Sequence, residues 1–216
     1  MKGILLVVEG MGGSGKSTVC DYIEDWLLDS RIDYVRTREP GGTFAGEYLR
    51  PLCRKGIPNN PDQLHPMTVA LLYNAARVEN LTKVILPGLA EGKVVLCDRW
   101  CDSTYAYQGG YGGVPLAKLQ ELHETAVNGV QPDLTLLLDG DPGMFLSRIS
   151  AEEKVEDQFD SLKMAEYERV RKAYHAAIGP NHRVINAGES KEQVAAQVLP
   201  FLLKLQNDLL QRPVTV

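Results

Sequence analysis

Eight consecutive residues, Gly10-Met11-Gly12-Gly13-Ser14-Gly15-Lys16-Ser17, fit the pattern G-x-x-x-x-G-K-[ST] of a phosphate-binding loop. The glycines leave backbone N–H groups free to close around phosphate oxygens, because no Cβ obstructs the approach. Lys16 is expected to reach the β- and γ-phosphates of a nucleoside triphosphate, and the Ser17 hydroxyl to ligate Mg2+. Thr18 belongs to the first turn of the following helix, whose N-terminus adds partial positive charge.

Four further groups carry potential chemistry. Thr37-Arg38-Glu39-Pro40-Gly41-Gly42-Thr43 reads as a strand end turning sharply at Pro40 and the two glycines. Arg38 there suits a phosphate, since a guanidinium offers two parallel hydrogen bonds; a solvated Arg38–Glu39 pair in a surface turn fits the residues as well. Asp98-Arg99 ends another apolar run, where an acid can hold Mg2+ and an arginine can grip a phosphate in flight; Asp98 capping a helix and pairing with Arg99 is the alternative. Tyr73 and Arg77, four apart, share a helix face and together can sandwich a flat base, or simply pack. Ser103-Thr104-Tyr105-Ala106-Tyr107-Gln108-Gly109-Gly110 adds hydroxyls, rings and a side-chain amide that can pair with a uracil-type edge; an ordinary helix start with packed tyrosines also fits.

These residues need a frame that brings them together. Apolar runs at Ile4–Val8, Tyr34–Thr37, Val94–Cys97, Leu134–Leu138 and Arg183–Ile185 read as strands. Helical stretches are expected at Lys16–Asp29, Ala45–Arg54, Pro66–Glu91, Leu116–Asn128, Pro142–Ile149, Leu162–Ala177 and Lys191–Gln211. The alternation predicts one α/β domain over 1–216, with a parallel sheet covered on both faces and ligands at the carboxyl ends of its strands. The charged segment 150–160 fits a small lid or a solvated connection.

Bulk properties narrow the partners. The chain has 216 residues and a net charge of −5, which disfavours sequence-independent nucleic-acid binding while leaving room for a local basic pocket. No apolar run spans a bilayer, and the N-terminus enters a core strand with no leader pattern. Cys20, Cys53, Cys97 and Cys101 lack zinc-site spacing and read as free thiols of a cytoplasmic protein.

Taken in order, the phosphate loop, Thr37–Thr43, Leu71-Leu72-Tyr73-Asn74-Ala75-Ala76-Arg77, Asp98-Arg99, Ser103–Gly110, Gln131-Pro132-Asp133-Leu134-Thr135-Leu136-Leu137-Leu138-Asp139 and Arg169-Val170-Arg171-Lys172-Ala173-Tyr174 resemble the thymidylate kinase family over nearly the whole chain. The resemblance implies a three-layer phosphate-loop kinase fold with a five-stranded parallel sheet and a small lid. It implies transfer of the ATP γ-phosphate to dTMP, Mg2+ dependence and a homodimer. Apolar Val69, Leu72, Ala76 and Leu86 on several faces of the long helix suit either a partner subunit or a buried core helix. By the same resemblance, Lys16 holds donor phosphates and Arg148 stacks on adenine. Arg38, Arg50 and Arg99 line the acceptor phosphate pocket, and Glu39, Ser103 and Thr104 bind the same substrate. Tyr73 stacks on thymine, Arg77 meets its O4, Gln108 its N3 edge, and Tyr107 crowds the sugar C2′. The acceptor is already a phosphate oxygen, so no strong general base and no covalent enzyme intermediate are expected.

Two positions depart from the family. Its phosphate loop usually carries an acid for the sugar 3′-OH where this chain has Gly12. Its lid usually reads Asp-Arg-x-Glu where this chain has Asp157-Gln158-Phe159-Asp160, and the alternative basic residue within the loop is here Gly13. Lys154 is the candidate replacement for the lid arginine. The departures leave open a kinase for dUMP or a 5-substituted dUMP, or a catalytically impaired nucleotide-binding homologue. A guanine-specific switch is disfavoured, because no Asn-Lys-x-Asp segment occurs.

Overall fold

Continuous apolar runs must be covered on both faces, and here they build the centre of one all-parallel sheet. In the computed structural model the strands are β1 (Ile4–Gly10), β2 (Tyr34–Arg38), β3 (Val94–Asp98), β4 (Leu134–Asp139) and β5 (His182–Asn186), ordered β2-β3-β1-β4-β5. The structure describes residues 3–57, 63–151, 159 and 161–210. Lys154, Asp157, Gln158, Asp160 and most of the expected lid lie outside the described residues.

Helices α1 (Lys16–Asp29), α2 (Phe44–Lys55), α3 (Pro66–Asn80), α4 (Leu86–Ala90), α5 (Cys101–Thr104), α6 (Leu116–Val127), α7 (Pro142–Ala151), α8 (Met164–Ala176) and α9 (Lys191–Leu210) flank the sheet in two layers. The pleat of β1 sorts its side chains. Ile4, Leu6 and Val8 pack with Val19, Ile23 and Leu27 of α1 and Val198 and Leu202 of α9. Leu5 and Val7 join Val95 and Cys97 against Leu81, Ile85, Trp100 and Val127. The result is the three-layer α/β fold that the pattern predicts.

Strand register fixes where chemistry can occur. Val8 and Arg38 both stand opposite Asp98, and Gly10 stands opposite Leu138. The carboxyl ends of β1, β2 and β3 therefore bring the phosphate loop, Arg38 and Asp98 to one edge. All five expected strands form, each one or two residues longer than expected. The expected helix Pro66–Glu91 is α3 and α4 joined by a π-helical turn at Leu81–Ile85. A second π-helical stretch, Tyr105–Tyr111, continues α5. α8 lies close along it, and a Cβ at Gly110 would meet the Ala173 Cβ at 2.5 Å. Wide turns of this kind often mark functional positions. Among the described residues no helix is long and apolar enough to cross a membrane.

Candidate active site

The phosphate loop links the buried end of β1 to α1, so its anion-binding amides stay fixed while the helix dipole points at them. Lys16 is folded back, its Nζ donating to Met11 O at 2.7 Å. Burial, and next the charge of Arg99, push the Lys16 ammonium down to about 7, against Asp98 and Glu9. A phosphate is the ligand such a desolvated cation lacks. The Ser14 hydroxyl is buried with no hydrogen-bond partner among the described residues. Gly13 has φ +69°, and a Cβ there would stand 2.3 Å from Phe145 O of α7. A basic side chain at position 13 has no room unless α7 moves.

A cleft of about 940 Å³ opens beside the loop, lined by Gly13 to Val19 of the loop and α1, Arg148 of α7, and Ala187 to Ala195. Arg148 donates to Gly13 O at 3.4 Å and Ala187 O at 3.1 Å, which sets it across the mouth of the loop. Ser17 and Thr18 are exposed on this side.

Asp98 ends β3 half-buried, and its Oδ1 is buried with no hydrogen-bond partner among the described residues. Arg99 follows with φ +75°, a left-handed conformation strained for a non-glycine residue. Its Nη1 donates to Gly10 O at 3.0 Å, Ser103 Oγ at 2.9 Å and Tyr174 Oη at 3.2 Å. Its Nε and Nη2 make no hydrogen bond among the described residues. One edge of the guanidinium is thus anchored and the other is available to a bidentate anion.

Arg77, fully buried, is more heavily engaged. Nε donates to Glu39 Oε2 at 2.7 Å, Nη1 to Asn74 Oδ1 at 3.1 Å, and Nη2 to Trp100 O and Thr104 Oγ1, both at 3.2 Å. Of its five N–H groups, one on Nη1 is left. Glu39, also buried, keeps Oε1 without a partner among the described residues, and burial raises its pKa against the pull of Arg77. Arg38 lies outside this buried group, forked onto Glu47 in an exposed pair at 3.0–3.3 Å. The expected Arg38–Glu39 surface pair is not formed, because each residue has found another partner. Arg50 donates to Pro40 O at 2.6 Å.

The segment 103–108 is more buried than its composition suggests. Ser103 and Thr104 stand behind Arg99 and Arg77, each accepting from one of them, and have little exposed surface to offer a substrate. Gln108 is buried, and Tyr73 packs in a cluster with Cys53 and Val69. Tyr107 lies under Arg99, whose guanidinium is 5.7 Å from its ring centroid. Its Oη accepts from Gly12 N at 3.2 Å, while Tyr167 Oη donates to Gly12 O at 3.4 Å. Two tyrosine hydroxyls thus hold the peptide of the residue that lacks the expected acid.

Sequence reasoning missed Glu9, at the end of β1. It is fully buried and accepts from Trp100 N, Ser103 N, Ser103 Oγ and Tyr174 Oη. Burial, and then the charge of Asp102, push it up to about 7 against Arg99 and the bonds from Ser103 and Trp100. An acid closing an otherwise apolar strand was the available signal.

Comparison with known proteins bears on this geometry. The family model described as thymidylate kinase matches residues 8–198. The thymidylate kinase of Ectopseudomonas mendocina (strain ymp) is 39% identical over 210 residues, covering 94% of this chain and 98% of that protein. Those of Clostridium novyi (strain NT) and Cereibacter sphaeroides (strain ATCC 17029 / ATH 2.4.9) are 37% and 41% identical, each over 93% of this chain and over 98% and 96% of the relative.

Proposed function

This chain belongs to the thymidylate kinase family, and we propose that its site carries out ATP-dependent phosphorylation of dTMP to dTDP. The observation that carries the residue assignment is a phosphate loop facing an arginine, Arg99, with one anchored and one free edge. The loop from Gly10 to Thr18 and Lys16 take the donor phosphates, and Arg148 borders the adenine in the adjoining cleft. Arg99 takes the acceptor phosphate on its free edge, with Arg38 and Arg50 on the far side. Tyr73, Gln108 and the remaining Arg77 N–H face the thymine, and Tyr107 borders the sugar. Ser103, Thr104 and Glu39 serve from behind, by holding these arginines.

The Ser17 hydroxyl and the Asp98 carboxylate suit Mg2+: both are hard oxygen donors, and Asp98 Oδ1 is buried without a partner. The ion, when bound, neutralises developing charge on the phosphates. Lys16 and Arg99 both stand at this edge, so two anionic groups can be brought together without a general base or a covalent intermediate.

The wider reading follows from the same premise. The chain acts as one domain in the cytoplasm, on nucleotides rather than nucleic acid or membranes, and pairs with a second copy through α3. Leu71 and Val78 are seven apart on that helix and exposed, with exposed Leu86 beyond them.

A coupled ADP-release assay with ATP and Mg2+ on dTMP, dUMP, 5-hydroxymethyl-dUMP, dCMP and ribosyl TMP tests this. Fastest turnover on dTMP with rejection of the ribose is the expected result. Preference for a substituted dUMP, or no turnover with intact ATP binding, refutes it.

A further inference from the structure

The residue that sequence reasoning overlooked has a function in this site. We propose that Glu9 is a positioning residue: it fixes Arg99 in its strained turn and orients the hydroxyls that hold the guanidinium, so that the free edge of Arg99 faces the acceptor phosphate. This inference rests on the reading of Arg99 as the acceptor-phosphate ligand.

Two sets of bonds carry it. Glu9 Oε1 accepts from Trp100 N at 2.6 Å and Ser103 N at 3.1 Å, which ties down the backbone on the far side of Arg99. A left-handed arginine persists only where its neighbours over-determine it, and these two amides do so. Glu9 Oε2 accepts from Ser103 Oγ at 2.6 Å and Tyr174 Oη at 3.3 Å. In its ionised form Glu9 accepts only, and a serine hydroxyl has one proton. With that proton given to Glu9, Ser103 can present only a lone pair to Arg99 Nη1, 2.9 Å away. The Tyr174 proton likewise has acceptors on its other sides, Ser103 Oγ at 2.9 Å and Gly10 O at 3.2 Å, leaving a lone pair for Arg99. The ionised carboxylate thus sets the direction of the Ser103 bonds.

Glu9→Gln keeps the shape and turns the acceptor that faces Ser103 Oγ into a donor. Its amide N–H₂ then competes with Arg99 Nη1 for the serine lone pairs, and the serine proton turns to Tyr174 Oη, 2.9 Å away. The anchored edge is held by a shared acceptor and the free edge loses its aim. Steady-state kinetics and calorimetry with dTMP and with thymidine, the nucleoside lacking the phosphate, separate this from a general defect. E9Q should weaken dTMP binding about 10- to 100-fold, as loss of an aligned charge-assisted contact does. It should leave thymidine affinity and the KM for ATP within about twofold and lower kcat. Tyr174→Phe, which keeps the carboxylate and removes one oriented hydroxyl, should move the same quantities in the same direction by less. Equal loss for dTMP and thymidine, or no loss for either, overturns the positioning role. If E9Q does not fold, an unchanged dTMP-to-thymidine ratio in Y174F overturns it instead. A wild-type protein that binds thymidine as tightly as dTMP overturns the acceptor reading itself, and this inference with it.

Discussion

Arg77 offers a direct test of how the acceptor side is built. If it only reads a base, removing it should raise the KM for dTMP and barely touch stability, as with exposed charges worth under about 1 kcal/mol. Its surroundings say otherwise. The guanidinium is fully buried and spends four N–H groups on Glu39, Asn74, Trp100 and Thr104. Glu39 is itself 2% exposed and already has one oxygen unpartnered. Arg77→Met therefore strands a buried carboxylate, and losing one member of such a pair costs about 3–5 kcal/mol. The double variant Arg77→Met/Glu39→Gln removes both charges, and should recover at least about 2 kcal/mol of that loss. Urea unfolding at neutral pH gives both values, provided the slope m stays constant. The double variant should also keep a raised KM for dTMP, because the last Nη1 proton is gone with the side chain. A loss under about 1 kcal/mol in the single variant, or no recovery in the double, refutes the view that this arginine braces the fold.

Two further perturbations address other parts of the structure. His123 is buried with both ring nitrogens unpartnered, and burial, then the charge of Arg77, push its pKa down from 6.5 to about 3. Below pH 6.5 the unfolded chain takes up this proton and the folded chain does not, so stability falls by about 1.4 kcal/mol per pH unit, or about 2 kcal/mol at pH 5. His123→Phe should lose about 2 kcal/mol less than the wild type between pH 7 and pH 5 in denaturant titrations; equal losses would show that the imidazole titrates freely. Gly13→Ala places a Cβ 2.3 Å from Phe145 O at φ +69°. It should weaken ATP binding on the order of tenfold or more, with dTMP binding unchanged, and unaltered ATP affinity by calorimetry would refute the close packing of loop and α7.

What the sequence made legible is what local spacing determines. The phosphate loop is eight contiguous residues, and Lys16–Asp29 begins and ends where the pattern placed it. The central strands β1, β3 and β4 were visible because a doubly covered strand is nearly all apolar, while the edge strands β2 and β5 carry exposed polar residues and gave shorter signals. Residues 103–111 were not, since tyrosines followed by two glycines suggest a helix start running into a turn. The chain keeps winding there because α8 packs directly on Gly110, and packing overrides weak propensity. Glu9 was missed for a similar reason. Its partners Trp100, Ser103 and Tyr174 are 91, 94 and 165 residues away, so no window along the chain contains them. Ser103 and Thr104 were expected to bind the substrate, but they are buried behind Arg99 and Arg77, a burial that composition does not reveal.

A chain of net charge −5 that handles two nucleotides has to present cations locally, and the site does so by giving three of its arginines an acid each. Arg77 has Glu39, Arg99 has Glu9 through Ser103, and Arg38 has Glu47. The three arrangements differ in how much they hold. Arg77–Glu39 is a buried pair, lost only at several kcal/mol, and half-buried Arg99 is held through Ser103 by the buried Glu9, so both guanidiniums stay where they are whether or not a substrate is present. The Arg38–Glu47 pair is half-exposed at both ends, and pairs of that kind are worth about 0–1 kcal/mol. An incoming phosphate can take Arg38 from Glu47 at little cost, whereas it must come to Arg99. In the proposed reading the acceptor phosphate therefore meets one fixed and one movable arginine. The fixed one, tied by Gly10 O to the strand end that carries the phosphate loop, sets the line between donor and acceptor; the movable one closes on the phosphate after it arrives.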